Sequence, residues 1–170
     1  MVMSTPLQQQ PDIVERPAQP YVAVRGAVTM QTIGAVADRI GEIFEWLAAR
    51  GIEPVGAPFL RYNVIDMDRR LEIEAGVPIA DAVAGDGDVS PGVLPAGRYA
   101  TVTHVGHPDD LIDVTAALLD WAAERGLEWD TSHTEDGQWW GCRLEVYNTD
   151  PAVEPDISNW ETELMFRLAG

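Results

Sequence analysis

The sequence predicts an α+β fold: a duplicated β-α-β-β unit whose two copies are related by a pseudo-two-fold axis, with a ligand groove between them. Three observations carry this expectation. The run Glu45-Trp46-Leu47-Ala48-Ala49-Arg50-Gly51-Ile52-Glu53 recurs, 75 residues on, as Asp120-Trp121-Ala122-Ala123-Glu124-Arg125-Gly126-Leu127-Glu128. A tyrosine-led strand precedes each run, Tyr21 to Arg25 and then Tyr99 to Val105, and an aromatic strand follows each. The period is too long, and two copies too few, for the common solenoid repeats. The match is short, and many helices end in Arg-Gly, so this run alone leaves chance similarity open.

Taken in order, residues 1–20 hold Gln8-Gln9-Gln10-Pro11 and Pro6, Pro17 and Pro20 without an apolar period, and read as a loose tail before a domain spanning 21–170. In the first repeat, about 21–83, Val36, Ile40, Ile43 and Leu47 recur at spacings of three and four, predicting one amphipathic helix from Ile33 to Arg50 that Gly51 ends. Phe59 to Ile65 and Leu71 to Ala75 read as strands. Ala84 to Gly92 is polar and glycine-rich and reads as the inter-repeat linker; its Asp86 and Asp88 lack the further ligands of a calcium loop. In the second repeat, about 94–170, a helix is expected from Asp109, its cap, to Arg125, with Val114, Leu118 and Trp121 on one face.

Composition narrows the partners. Eleven basic against 28 acidic residues give a net charge of −17, which sets the surface against phosphate backbones, so no direct nucleic-acid partner is expected. The same field concentrates cations, a weak vote for a cationic ligand. Cys142 is the only cysteine, which excludes an internal disulfide, and no apolar run reaches the roughly 20 residues that span a bilayer. Without a signal-peptide pattern the expected location is cytoplasmic, away from any membrane. His104 and His107 stand at a strand exit and His133 in a loop, a poor geometry for a metal, so neither a metal nor a cofactor is expected. No serine sits in a nucleophile elbow.

Gln138 to Asn148 is the strand that can carry chemistry. Its alternation puts Trp140, Cys142, Leu144 and Val146 on a core face, and Trp139, Gly141, Arg143, Glu145 and Tyr147 on the other. Glu145 with Tyr147 on the same side could hold a cation by charge and by a π-face, whereas a solvated face would use Arg143 and Glu145 for cross-strand pairs. Trp139 would give an aromatic ligand a flat wall; Cys142 reads as a buried filler. Tyr62 lies on the matching strand of the first repeat, in a register that leaves its side open.

Leu144-Glu145-Val146-Tyr147-Asn148-Thr149-Asp150-Pro151, followed by Pro155-Asp156 and Trp160-Glu161-Thr162-Glu163-Leu164, resembles the closing signature of the GyrI-like small-molecule-binding family. Leu94 to Ala100, His104-Val105-Gly106 and Glu74 to Pro78 are similar as well, so the resemblance covers Tyr21 to Leu168. It implies one antiparallel sheet with two long helices and a central groove, as in effector-binding domains of AraC-type and multidrug-responsive regulators. It also implies a buried ligand-contacting glutamate at Glu145, with Tyr147 and Trp160 lining the pocket and Trp121 either joining them or anchoring the core as Trp46 does.

Three functions follow as expectations. The first is binding of aromatic small molecules, cations among them, for sensing or sequestration. The second, from hydrolases that the resemblance includes, is opening of the cyclopropane of DNA-alkylating natural products. Glu145 would be the general base and Tyr147 or Tyr62 the donor to the developing phenolate. The third is a protein partner, such as a topoisomerase shielded by the acidic surface.

Overall fold

The structure, a computed structural model, describes residues 10–66 and 70–169. Along the chain run β1 (Asp12–Arg16), β2 (Gln19–Val28), α1 (Gly34–Ala37), α2 (Ile40–Ala49), β3 (Phe59–Asp66), β4 (Arg70–Pro78), β5 (Ser90–Leu94) and β6 (Gly97–Val105). Then follow α3 (Leu111–Glu124), β7 (Thr131–Thr134), β8 (Gly137–Trp140), β9 (Arg143–Tyr147) and β10 (Glu161–Arg167). These strands form one antiparallel sheet in the order β1-β6-β10-β9-β3-β4-β2-β5, with β8 continuing beside β3 and β7 on its flank. The order reads the same outward from the β9–β3 seam in either direction, which is the expected pseudo-two-fold relation.

The outermost strands are exchanged. β1 precedes the first repeat yet pairs with β6 of the second, and β5 precedes the second repeat yet pairs with β2 of the first. This corrects two expectations at once. Residues 12–16 of the expected tail are a strand and β2 already begins at Gln19, while the expected linker ends inside β5. Residues 1–9 of that tail lie outside the described residues. Neither segment shows a period because each is five residues long and follows the sheet edge. Its one inward apolar side chain, Val14 in β1 and Leu94 in β5, packs on the same cluster around Tyr21 and Tyr99.

Both helices cover one face of the sheet. The duplicated run explains how they seat: Ile43 and Leu47 of α2, and Leu118 and Ala122 of α3, are buried at matching positions. Trp46 and Trp121 lie beside them with Arg50 and Arg125 stacked at 3.8 and 4.4 Å from the ring centres. Gly51 and Gly126 close the two helices at φ +68° and +66°, a conformation that costs a residue with a Cβ.

Two helix boundaries differ from expectation. The first helix breaks at Asp38–Arg39, where Gly34 and Gly41 weaken helical preference and Arg39 is drawn to Glu42 and Asp88 at 2.6 and 3.1 Å. The second begins at Leu111, after a single 3₁₀ turn over Pro108–Asp110; the cap is His107, whose Nδ1 accepts from the Asp109 N–H at 3.0 Å.

The opposite face packs Tyr21, Phe59, Tyr99, Leu144 and Met165. Gly76 of β4 lies under these rings, and a Cβ there would stand 2.6 Å from Phe59 Cζ and 3.1 Å from Tyr21 Cδ2. Gly76→Ala is therefore expected to cost about 1–3 kcal/mol, since neither buried ring can yield. An unchanged urea midpoint would contradict this.

Candidate functional site

The strand expected from Gln138 to Asn148 is two strands, β8 and β9, separated at Gly141–Cys142. β3 meets β9 up to the pair Arg61↔Leu144 and meets β8 from Val64↔Trp139, so the β8–β9 segment carries two more residues than β3 between these pairs. Such a bulge re-aims side chains. Trp140 consequently packs on the helix side, in the cluster with Leu118 and Phe166, while Cys142 and Leu144 pack on the opposite side. Gly141 is what permits it: its N–H donates to the Asp130 carbonyl at 2.8 Å, its carbonyl accepts from Arg61 Nη2 at 2.8 Å, and the Asp130 carboxylate occupies the space a Cβ would need.

This bulge corrects the placement of Trp139. It is 39% exposed, donates its indole N–H to Thr134 Oγ1 at 2.7 Å, and lines a cavity on the face away from Glu145. That cavity, about 670 Å³, contains Glu74, buried and already satisfied by Tyr21 Oη, Asn63 Nδ2 and Arg25 Nε at 2.9, 2.7 and 3.2 Å. Glu74 therefore does not charge the helix-side groove, and Glu72 lines the same rear cavity.

The helix-side cleft, about 470 Å³, lies over the β3–β9 seam. Its floor is Leu60, Tyr62, Arg143, Glu145 and Tyr147; Met30, Ile33 and Ala37 form one wall, and Leu111, Ile112 and Thr115 the other. Leu60 sits directly across from Glu145, which fixes both on this face. Tyr62 falls on the same side because the register shift in β3 comes after it. The cleft thus unites three of the expected site residues, Glu145, Tyr147 and Tyr62.

The remaining two expected residues are elsewhere. Trp160 donates its indole N–H to the Glu154 carbonyl at 2.8 Å and does not line the cleft. Trp121 packs half-buried on the core under α3, beneath Arg125, so it anchors the helix as Trp46 does. Both positions were tied to the pocket through resemblance, and local packing overrides that here.

Tyr147 Oη donates to Glu145 Oε2 at 2.9 Å, and the Tyr62 hydroxyl lies on the same cleft floor, close enough to help stabilise the carboxylate charge. Burial raises the Glu145 pKa above the usual carboxylate range; the two phenols and the Arg143 charge pull it partly back. Burial and the neighbouring carboxylate hold both phenols well above their ordinary value, so they remain donors. Arg143 is lowered by desolvation. Its guanidinium carbon stands 4.5 Å from the Phe166 ring centre, 4.8 Å from Trp140 and 5.9 Å from Tyr62.

Arg143 is the cleft-floor residue that sequence reasoning undervalued. Its position two residues before Glu145 on the same face was the available signal. Cys142 is fully buried, and desolvation pushes its thiol up, which removes it as a nucleophile. His104 is buried, not superficial, with Nε2 3.8 Å from Asp110 Oδ2. Among the described residues no three His, Cys, Asp or Glu side chains converge on a metal position, and no helix is long and apolar enough to cross a membrane.

The sequence model of the GyrI-like small molecule binding domain matches residues 9–169. No curated protein matches the chain in sequence. Among solved structures, the fold is shared with the EcmrR C-terminal domain at 20% identity and a TM-score of 0.71, over 96% of this chain and 99% of that one. In the EcmrR–DNA complex the identity is 21% and the TM-score 0.74, over 94% of this chain, which spans only 57% of the EcmrR chain there. SAV2435 bound to tetraphenylphosphonium aligns at 9% identity and a TM-score of 0.58, covering 95% of each chain. A hydrolase from Listeria innocua aligns at 14% and 0.66, over 96% of this chain and 94% of that one.

Proposed function

The chain belongs to the GyrI-like small-molecule-binding family, and from that premise we propose that its helix-side cleft binds aromatic small molecules over Glu145, as a sensing or sequestering protein. One observation carries the reading. A carboxylate that accepts from the Tyr147 phenol, with the Tyr62 phenol beside it, lies at the floor of a cavity of about 470 Å³ whose walls are otherwise mostly apolar, the size and character of a small-ligand site. SAV2435 bound to an aromatic phosphonium supports the ligand class.

A second reading, hydrolysis of a strained cyclopropane on a conjugated ketone, is favoured by the same raised carboxyl and by the Listeria neighbour. Glu145 would take a proton from water as the oxygen attacks the cyclopropane carbon. The breaking C–C bond would send its electron pair to the ketone oxygen, leaving a phenolate that is then protonated. Tyr62 and Tyr147, on the cleft floor beside Glu145, would be the donors to that oxyanion.

A mass-spectrometric time course with polycyclic aromatic cations and cyclopropane-bearing alkylators, run beside Glu145→Gln, tests both. One-to-one complexes, with the cations weakened about tenfold or more by the substitution, support binding. A water adduct accumulating over many turnovers with wild type alone supports hydrolysis. Absence of any complex or adduct removes both.

Glu145→Gln also has a stability consequence. With its pKa raised on folding, the carboxyl stabilises the folded state fully below the ordinary glutamate range, and this stabilisation fades as pH rises through the raised value. The uncharged variant should therefore match wild type in acid and exceed it by about 1–2 kcal/mol above neutrality, as is usual when a functional charge is removed. Equal urea midpoints at pH 8 would contradict a desolvated Glu145.

A further inference from the structure

Arg143 is not needed by either account above, yet it occupies the cleft floor beside Glu145. Same-face neighbours two residues apart on a strand are separated by about 7 Å. Among the described residues no carboxylate lies within 4.0 Å of its guanidinium, and its N–H groups make no hydrogen bond to a protein acceptor. Its positive charge is instead cradled by the rings of Phe166, Trp140 and Tyr62. A planar guanidinium carries five donors, and once a bound ligand displaces water from the cleft these donors require acceptors on it. Arg143 lines the cleft, so these donors are available to a ligand bound there.

The cleft floor therefore presents one negative and one positive group, and the negative one already has a phenol donor of its own in Tyr147. A lipophilic cation lacking oxygen would leave the guanidinium unanswered and add a like charge to it. A flat ligand with an oxygen acceptor conjugated to its ring would lie over Leu60 and Tyr62 and receive the guanidinium's hydrogen bonds, a charge-assisted contact.

We propose that Arg143 is a specificity-determining residue that makes the cleft select aromatic ligands bearing a conjugated carbonyl or phenolate oxygen over aromatic cations. The inference rests on the reading of the cleft as an aromatic-ligand site.

Two fluorescent probes decide it: 7-hydroxycoumarin, which carries both oxygen types, and N-methylacridinium, a flat cation without oxygen. Each is titrated into wild type, Arg143→Met and Arg143→Lys, with circular dichroism melting to show that the variants are folded. Wild type is expected to bind the coumarin about tenfold or more tightly than the acridinium. Arg143→Met, which fills the ring cradle without charge, should weaken the coumarin about tenfold and strengthen the acridinium, reversing the preference. Arg143→Lys, which keeps the charge without the planar fork, should fall between. If both probes bind and their ratio is the same in wild type and Arg143→Met, the role of Arg143 is overturned while the aromatic-site reading stands. If neither probe binds wild type, that reading fails and this inference with it. Should Arg143→Met not fold, the Arg143→Lys ratio decides alone: an unchanged wild-type ratio overturns the proposal.

Discussion

Trp140→Ala is expected to destabilise the protein by about 3–5 kcal/mol, the cost of emptying a buried aromatic site. Trp140 is 5% exposed and meets Phe166 and Trp129 at ring-centre distances of 5.5 and 5.7 Å, so no neighbour can collapse into the space without losing its own contacts. The same change strips one ring from the Arg143 cradle, so the loss reaches the cleft as well as the core. Trp139→Ala, one residue away, should change stability by no more than about 0.5 kcal/mol and leave cleft binding intact, because Trp139 is partly exposed on the rear face. Urea unfolding of the two variants checks this directly. Comparable losses from both would show that the two side chains do not divide between the faces as the bulge requires.

The second large effect concerns the phenols beside Glu145. Phenylalanine at both Tyr62 and Tyr147 keeps the ring volumes and removes the Tyr147 hydrogen bond to a buried carboxylate, worth about 1.5–3 kcal/mol to the charged form, together with the polar Tyr62 hydroxyl beside it. Burial then acts on the carboxyl with only Arg143 opposing it, so its pKa moves further up from an already raised position. Any property that needs the ionised form sets in at higher pH in the double variant than in wild type. The pH dependence of N-methylacridinium affinity measures this, and so does the carbon-13 shift of the labelled carboxyl. Coincident midpoints in the two proteins would mean that the phenols do not support the charge.

Much of this molecule is legible in its sequence where apolar side chains repeat. The helix face of Ile43, Leu47, Leu118 and Ala122 is visible as a period, and the glycines that end both helices are visible as residues, so the duplication and the general fold follow. Glu145, Tyr147 and Tyr62 do converge in the cleft. What pattern could not give is parity across a bulge. Alternation assumes an unbroken pleat, and the break at Gly141–Cys142 leaves Trp140 and Cys142, two residues apart, on opposite faces, which is how Trp139 left the groove. β1 and β5 stayed hidden for a different reason. Their formation depends on an edge made by the distant repeat, and no local window contains that edge. Trp121 and Trp160 show the limit of resemblance: a family position fixes where a backbone runs, whereas the stacked Arg125 and the Glu154 carbonyl determine where these indoles end up.

The exchanged strands bear finally on how the chain folds. Asp12 pairs with Thr101 and Gln19 with Leu94, so each repeat finishes the border of the other. A half-molecule cut between β5 and β6 would keep β5 beside β2 but would lose the β9 partner of β3, and its β1 would be left without β6. The folding unit is accordingly the pair, and intermediates with one repeat formed and the other not should lack the mutual edges that make either persist. One cooperative transition, governed by contacts distant in sequence, is therefore expected in place of two independent ones.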